Sequence, residues 1–421
     1  MTTGANSGTH LFGLPAERGR WVLIALGLVI NLCLGTIYSW SVFVAPLTDY
    51  FTGVLGQSVT ANEVLMPFSV FLAFFAIAMP LTGKYIETLG PRKITIIGGI
   101  LTGIGWILAS TVTSVQMLYV VYGVIGGIGV GIAYGVPVAV AARWFPDRRG
   151  VAVGLTLLGF GFSAFITANI AGYLISAFGV MNTFRIFGVV FIVLIVLLAL
   201  PLRFPDEGWR PAGWEMPAPK PGELYCECDR SAMLRTSTFY GLWICYFIGC
   251  LAGLMAISIS KPVGTEIGIE TGLATLLVGF FAIFNGGGRP VFGALTDRLN
   301  PRNTAMLSFV LIALSSLLMW QAAHTVVYIV AFAILWGCLG GWLAIAPTAT
   351  GSYFGTCDYP RCYGVVFLAY GAGAIAGPQL AGFIKTTTGN YLGVFPWVLG
   401  LAVVGLVVAF FLMRTPKNYP A

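Results

Sequence analysis

Apolar segments long enough to cross a bilayer as a helix, about 20 residues each, recur about twelve times along the chain with short breaks between them. With 58% hydrophobic and 9% charged residues among 421, the composition lies far outside that of soluble globular proteins. We therefore predict an all-α integral membrane protein with twelve transmembrane helices, near residues 21–47, 62–85, 93–111, 115–142, 150–177, 183–202, 236–262, 272–296, 303–322, 326–350, 362–386 and 393–413.

Basic residues are distributed unequally between the alternating breaks. One side of the predicted membrane carries Arg18, Arg20, Lys84, Arg92, Lys93, Arg143, Arg148, Arg149, Arg203, Arg210, Lys220, Arg230, Arg235, Arg298, Arg302, Arg361, Arg414 and Lys417, and the other carries Arg185, Lys261 and Lys385. The positive-inside rule then predicts that both termini are cytoplasmic and that the protein is multi-pass in the cell inner membrane. The formal charge of +7 therefore reflects topology and gives no reason to expect nucleic-acid binding.

A long polar segment divides the chain into two halves. We expect a cytoplasmic N-terminal segment at 1–20, a six-helix bundle at 21–202, a cytoplasmic linker at 203–235, a second six-helix bundle at 236–413 and a cytoplasmic tail at 414–421. The halves repeat each other, since GKYIETLGPRK, from Gly83, and GALTDRLNPRN, from Gly293, share glycine, acid, proline and arginine at one spacing. Two parallel six-helix repeats favour a transporter over a channel or a membrane enzyme.

Arg289 is a permanent cation inside the predicted eighth helix. An arginine near the bilayer midplane costs at least a few kcal/mol, so it normally faces a partner or a cavity on a transport pathway. The other predicted helices offer no carboxylate to neutralise it, and the repeat aligns Met79 with Arg289 and Phe75 with Asn285. We hypothesise that the counterion is the carboxylate of a transported organic anion; a structural arginine capped by backbone carbonyls is the alternative.

Aromatic hydroxyls inside the predicted helices are the remaining polar candidates, because each can donate to a carboxylate while presenting an apolar ring. They are Tyr38 in the first helix, Tyr119, Tyr122 and Tyr134 in the fourth, and Tyr370 in the eleventh. A core tyrosine bonded to nearby backbone is the alternative at each position. Together with Arg289, these helices are the ones expected around a central cavity. The glycines at 286–288, followed by Pro290, predict either a loosened eighth helix at the charge or close packing there.

Other motifs have structural explanations. Thr60 and Glu63 form a capping box at the start of the second helix. Glycines at small-xxx-small spacing predict packing surfaces in the fourth and eleventh helices, at Gly123, Gly127, Gly131, Gly373 and Gly377. Cys226 and Cys228 lack the second ligand pair of a metal site, and we expect no disulfides, no metal and no cofactor. A catalytic constellation is also missing, so we do not expect an enzyme.

The repeated loops resemble the cytoplasmic signature of the major facilitator superfamily. The strings RWFPDRRG, FNGGGRPVFG and MLRTSTFYGLW, and an FGT followed by an arginine and YG, resemble the branch that contains bacterial oxalate:formate exchangers and animal-type monocarboxylate transporters. Within it the nearest likeness is to bacterial L-lactate carriers similar to the animal ones. The resemblance implies the major facilitator fold, with two pseudo-symmetric six-helix bundles and alternating access.

The resemblance also implies roles for individual residues. Arg289 falls at the eighth-helix arginine that binds substrate carboxylate in this branch. Tyr370 falls where the oxalate exchangers have a lysine, and a single buried cation balances a monoanion better than a dianion. The animal carriers assign proton coupling to an aspartate at the position of Asn285, whose amide can bond substrate but cannot carry a proton.

We therefore expect a monomeric secondary transporter that moves L-lactate or a similar short monocarboxylate with a proton. The alternative is a carboxylate anion exchanger of the oxalate:formate type. The predicted substrate-binding residues are Arg289, Asn285, Tyr38, Tyr122, Tyr134 and Tyr370. The predicted cytoplasmic gate, a latch of ion pairs that re-form between states, consists of Glu87, Arg92, Asp297, Arg298 and Arg302.

Overall fold

The computed structural model describes residues 10–206, 208–212, 230–355 and 359–414. Within them lie eleven helices long and apolar enough to cross a membrane. One of these, Thr271–Gln321, has a non-helical residue at Asn300 and so comprises two spans, 271–299 and 301–321, which makes twelve. The prediction of an all-α integral membrane protein is confirmed.

The spans follow the predicted order, and their ends differ from the predicted ones by up to seven residues. Numbered in chain order, the others are Ala16–Val54, Ala61–Thr82, Thr88–Ala109, Val115–Trp144, Val151–Phe178, Val180–Ala199, Ser237–Glu266, Thr325–Phe354, Arg361–Thr388 and Leu392–Leu412, with the two halves of Thr271–Gln321 as the eighth and ninth. A two-stranded antiparallel pair, His10–Leu11 with Leu14–Pro15, precedes the first span. A short helix, Arg230–Leu234, precedes the seventh.

The first span is helical over Ala16–Leu34 and Trp40–Asp49, but Gly35–Ser39 between them is a 3₁₀ turn, and Tyr50–Val54 forms a π-helix. The fourth span likewise contains a π-helical stretch at Tyr119–Gly126. Hydroxyls of the fifth span lie against the 3₁₀ turn: Ser163 donates to the Gly35 carbonyl over 2.5 Å, and the oxygens of Thr167 and Ser39 are 2.7 Å apart. Such interruptions tend to occur at functional positions in membrane helices.

The internal repeat is visible in the backbone. The turn between the second and third spans passes through Gly90 (φ 78°, ψ 160°) before Pro91, and that between the eighth and ninth passes through Asn300 (φ 68°, ψ 160°) before Pro301. Positive φ is a conformation that glycine, and less readily asparagine, adopts. The Asn300 side chain also accepts from the backbone N–H of Asn303 over 3.1 Å and so caps the ninth span.

The two halves meet along their lateral helices. The second span packs on the eleventh and the fifth on the eighth, and the first span also contacts the seventh. Small residues allow this approach, as at Gly371 against Ala76 and Gly161 against Gly286. We call the end of the molecule that carries His10 and Arg414 the basic face, and the other end the opposite face.

The predicted packing motifs are confirmed. Thr60 accepts from the Glu63 backbone N–H, and the Glu63 carboxylate accepts from the Thr60 N–H, which completes the capping box. The glycines of the fourth span lie against the second span, where a Cβ at Gly131 would come within 2.8 Å of the Phe75 carbonyl oxygen. Those of the eleventh lie against the seventh, with Gly373 beside Leu251.

A partly buried ion pair stabilises the basic face of the first half. Arg20 donates to both carboxylate oxygens of Asp147 over 2.6 and 2.8 Å and to the Trp144 carbonyl over 2.9 Å. Burial alone would raise the pKa of Asp147, but the hydrogen bonds and charge of Arg20 outweigh it and hold that pKa below its ordinary value. Trp144 in turn donates to the Arg203 carbonyl and packs on Trp209, so residues just after the sixth span rest on the first half.

Candidate functional site

Arg289 lies in the eighth span and is only 7% exposed. Its Nη1 donates to the carbonyl oxygen of Leu157 in the fifth span over 2.8 Å. Its Nε and Nη2 are buried and have no hydrogen-bond partner among the described residues. The alternative of an arginine capped by backbone carbonyls therefore accounts for only one of its three nitrogens.

No described carboxylate forms an ion pair with Arg289; the ion pairs that are described within the chain are Arg20–Asp147 and Lys385–Glu266. Nε and Nη2 lie on one edge of the guanidinium plane, and this edge presents two parallel N–H groups. Such a fork matches the two oxygens of a carboxylate. The unpartnered edge is therefore a chemically suitable binding site for a carboxylate from outside the chain.

Aromatic rings from both halves surround this position. Phe160 of the fifth span lies 5.0 Å from Tyr134 and 5.1 Å from Tyr38, measured between ring centroids. Phe75 of the second span lies 5.0 Å from Tyr134 and 5.8 Å from Tyr370. We call these five side chains the aromatic box. Its apolar walls exclude water and so strengthen any charge interaction made inside.

Hydroxyl groups of the box face one another and the arginine. The oxygens of Tyr38 and Tyr370 are 3.0 Å apart, and this hydrogen bond joins the first span to the eleventh. The Tyr134 hydroxyl lies beside the Arg289 guanidinium, and Tyr38 also lies near it. The structure thus brings together three of the four predicted tyrosines.

Asn285 lies one helical turn before Arg289 and is fully buried. Its Nδ2 donates to the Trp336 carbonyl over 3.1 Å, whereas its Oδ1 has no partner among the described residues. Gly161 of the fifth span lies directly opposite. A Cβ there would be 2.9 Å from Asn285 Oδ1 and 3.2 Å from Arg289 Nε, so the position requires glycine to leave the site open.

Tyr122 does not belong to this site. Its ring stacks on Trp40 at 4.9 Å and contacts Phe71 and Trp106 at 5.0 and 5.1 Å, inside an aromatic cluster of the first half. Its buried hydroxyl has no partner among the described residues. Tyr119 lies a turn further towards the opposite face, half-buried. Tyr134 alone of the three fourth-span tyrosines reaches the arginine. Tyr122 and Tyr119 lie three turns or more earlier in the span, about 18 Å or more away along the helix axis.

Sequence reasoning missed four residues that shape the site: Phe75, Phe160, Gly161 and Trp336, whose ring lies 6.5 Å from Tyr38. For Phe75 a signal was present, because the internal repeat aligned it with Asn285. Of the two alternatives for glycines 286–288, the structure supports close packing, since Asn300 is the one non-helical residue in Thr271–Gln321. Gly288 lies against the Gly337 carbonyl of the tenth span and Gly286 against Leu158, whereas a Cβ at Gly287 would meet nothing within 4 Å.

The predicted gate residues lie at the basic face. Arg92, Asp297 and Arg298 are exposed, and none of the three forms an ion pair with another described side chain. The Arg302 guanidinium lies 4.7 Å from the Phe410 ring centroid, beside a cleft of about 560 Å³ that Asp297 also lines. The side chain of Glu87 lies outside the described residues, so the latch stays a prediction.

No group of His, Cys, Asp or Glu side chains in the described ranges is arranged to hold a metal ion. Cys226 and Cys228 lie outside those ranges. The described thiols Cys33, Cys245, Cys250 and Cys338 are free and buried. Cys362 is also buried.

Comparisons with known proteins agree with this architecture. The family model described as Major Facilitator Superfamily matches residues 24–260 and 242–421. The chain is 31% identical over 378 residues to the oxalate:formate antiporter of Oxalobacter formigenes, covering 88% of this chain and 86% of that protein. It is 25% identical to apicoplast pyruvate carrier 1 of Toxoplasma gondii, covering 89% and 86%. Among solved structures, a D-xylose-proton symporter matches with a TM-score of 0.72 at 14% identity, covering 94% and 98%.

Proposed function

Because the chain belongs to the major facilitator superfamily and is a transporter, we propose that it carries short monocarboxylates such as L-lactate or pyruvate together with a proton. The transport mechanism is alternating access, in which the two six-helix halves rock around the site at Arg289. The basic face is cytoplasmic, the membrane is the cell inner membrane, and the monomer is the functional unit.

One observation carries the proposal: Nε and Nη2 of Arg289 are buried without a partner, on an edge that fits a carboxylate. A buried donor without a partner costs about 1–3 kcal/mol, and more when it is charged. A bound carboxylate removes that cost and neutralises the arginine. Hydroxyls of Tyr38, Tyr134 and Tyr370 are available for the remaining substrate oxygens.

The charge of the site favours a monoanion. Arg289 is the one cation that the described residues place in the aromatic box, since Tyr370 stands opposite Tyr38 with a neutral hydroxyl. A dicarboxylate would bring one negative charge without a counterion, and burying an unpaired charge costs several kcal/mol. The ring walls likewise suit a small substrate with an apolar end.

The contact between Arg289 and Leu157 couples binding to movement. The arginine belongs to the second half and the carbonyl to the first, so this hydrogen bond crosses the interface between them. A substrate carboxylate on the Nε–Nη2 edge leaves Nη1 able to keep this bond, so the same guanidinium joins the substrate to both halves. Binding changes the balance between conformations by the differential affinity of the substrate for them. In this mechanism Arg289 responds to substrate and needs no carboxylate of the chain.

Proton coupling takes place without a carboxylate at the site. Asn285 cannot accept a proton, and the described acids Glu63 and Asp147 are engaged in the capping box and in the pair with Arg20. The proton is therefore carried on the substrate or through the tyrosine hydroxyls and associated water.

Anion exchange is the second candidate, favoured by the 31% identity to the oxalate:formate antiporter, the highest among the relatives named above. Exchange would use the same arginine without a proton. The neutral Tyr370 argues against a dianion in this role, and Tyr370→Lys should improve binding of oxalate relative to lactate.

Uptake of labelled L-lactate into proteoliposomes, with and without an inward proton gradient, tests the proposal. Wild type, Arg289→Ala and Arg289→Lys form the series, because lysine keeps the charge but loses the bidentate fork. We expect gradient-driven accumulation in the wild type, none in Arg289→Ala and weak uptake in Arg289→Lys. Uptake that requires internal anion and ignores the gradient would indicate exchange, whereas uptake retained in Arg289→Ala would refute the site.

Asn285→Asp tests the proton route. A carboxylate beside Arg289 adds a group that titrates, so the pH optimum of uptake should shift. An unchanged pH profile would mean that this position does not sense protons.

A further inference from the structure

A second cavity, of about 840 Å³, opens between the two halves at the opposite face. It is lined by the outer ends of the first, seventh and eleventh spans and by the starts of the second and eighth. Ser41 lines its inner part and lies one helical turn beyond Tyr38 in the first span. The Tyr38–Tyr370 hydrogen bond thus stands between this cavity and Arg289.

Four charged residues line the cavity: Asp49, Lys261, Glu266 and Lys385. Two of them are bound to each other. Lys385 Nζ donates to Glu266 over 2.8 Å and to the Gly389 carbonyl over 2.8 Å, and the other Glu266 oxygen accepts from the Tyr391 backbone N–H over 2.9 Å. This pair is a fixed brace within the second half and presents little net charge to the cavity.

Lys261 differs from Lys385. It is half-buried, and its ammonium has neither an ion pair nor a hydrogen bond with any described residue. Asp49 lines the same cavity from the first span but is exposed and forms no ion pair with it. A cation in a partly desolvated cavity attracts anions more strongly than one at an open surface.

Ser41 supplies a second, independent observation. It is 1% exposed, and its Oγ has no hydrogen-bond partner among the described residues. A hydroxyl in this position can donate to a carboxylate oxygen. The cavity therefore has both a cation and a buried donor that have no partner among the described residues.

We propose that Lys261 and Ser41 form an outer binding site for a small monocarboxylate, which occupies it before passing the Tyr38–Tyr370 pair to reach Arg289. The inference rests on the proposed function for the class of ligand and on the cavity itself for the position. A single free cation selects monoanions at this outer site, as Arg289 does at the inner one. Substrate is thereby concentrated on the side where the chain otherwise carries few basic residues.

Lysine footprinting on the purified full chain tests the outer site without relying on transport. The rate at which an amine-acetylating reagent modifies Lys261 is measured by mass spectrometry in the presence of L-lactate, formate, oxalate or uncharged lactamide. At about ten times the Kd, a protecting anion should slow modification about tenfold. Lys93, which is exposed at the basic face, is the internal control and should react at one rate throughout.

We expect protection of Lys261 by lactate or formate, none by lactamide, and the same protection in Arg289→Ala. Protection by no anion, equal protection by lactamide, or protection that disappears in Arg289→Ala would each overturn the outer site. The substrate assignment is tested independently of the outer site. If formate protects Lys261 but lactate is not transported, the outer site is supported and the assignment of lactate as substrate is refuted.

Transport kinetics give a second readout. Lys261→Gln should raise KM for uptake from the opposite face while leaving kcat near the wild-type value, and Lys261→Arg should restore KM. Arg185→Gln is the matched control, because Arg185 is an exposed cation near the same face that does not line the cavity. Equal effects of Lys261→Gln and Arg185→Gln would refute a specific site and indicate only general surface charge.

Discussion

Removing one hydroxyl of the Tyr38–Tyr370 pair should destabilise the protein more than removing both. The two oxygens are 3.0 Å apart, and the side chains are 0% and 1% exposed, so neither hydroxyl has access to water in this conformation. Tyr370→Phe keeps the ring that stacks on Phe367 at 5.0 Å and changes only the hydrogen bond. Each single variant therefore leaves one buried hydroxyl alone, whereas the double variant leaves none.

The size of the effect follows from burial. A buried hydroxyl that loses its partner costs about 1–3 kcal/mol, and replacing both partners by apolar groups of the same shape is nearly neutral. Each single variant should therefore lose about 1–3 kcal/mol, equivalent to about a 5-fold to 150-fold change in an equilibrium or rate. Because the double variant loses almost nothing, the double-mutant cycle should give a coupling energy of about 2–6 kcal/mol in magnitude.

Thermal unfolding of the substrate-free protein in detergent provides the assay. Four described free thiols, Cys33, Cys245, Cys250 and Cys338, are buried, so their reaction with a thiol-specific fluorophore reports unfolding. Unfolding of such proteins is often irreversible, and the rate at a fixed temperature is the appropriate quantity. Tyr122→Phe is the control for loss of a buried hydroxyl that has no partner. If the two single variants unfold at the wild-type rate, or if their effects multiply in the double variant, the pair contributes no coupling and the reasoning is refuted.

Three further predictions concern single positions. Gly161→Ala places a Cβ 3.2 Å from Nε of Arg289 and should raise KM for lactate about tenfold or more. Gly154→Ala in the same span should leave KM unchanged, because a Cβ there meets nothing within 4 Å. Equal KM values for the two variants would contradict the geometry. Asp147→Asn should speed unfolding at pH 7, and because pairing with Arg20 lowers the pKa of Asp147, its advantage over asparagine should disappear as the pH falls below about 4. A pH-independent difference would show that the charge is not responsible. Tyr122→Phe should leave lactate uptake unchanged, and a loss of uptake would show that Tyr122 contributes to substrate binding.

The sequence could predict features that depend on local chemistry. The spans follow from the length of the hydrophobic segments, and the cap at Thr60 follows from the three-residue spacing of Thr60 and Glu63. The Gly90-Pro91 pair is typical of a turn with positive φ at the glycine. The repeat places Asn300-Pro301 at the equivalent position, and Asn300 has positive φ although asparagine adopts it less readily. Arg289 stood out because an unpaired cation in a span is costly wherever the helix packs.

Features that depend on helix rotation and on neighbours could not be predicted in this way. From their positions in the fourth span alone, Tyr122 and Tyr134 were equally good candidates for the binding site. In the structure Tyr122 stacks on Trp40, whereas Tyr134 reaches the arginine. Glycines 286–288 were equally consistent with flexibility and with packing, and the close approach of Gly337 decides for packing.

The membrane-spanning class, the twofold repeat and the uncompensated charge could be predicted from the amino acids, because they depend on residue type and spacing along one chain. Three features came to light only in the packed molecule: which rings enclose that charge, that Gly161 leaves space beside it, and that the first span and not the eighth is irregular at the site. Those outcomes depend on contacts between residues more than a hundred positions apart, such as Ser163 with Gly35 and Arg289 with Leu157. The energy of such contacts is fixed by how helices pack against one another, and no local pattern records it.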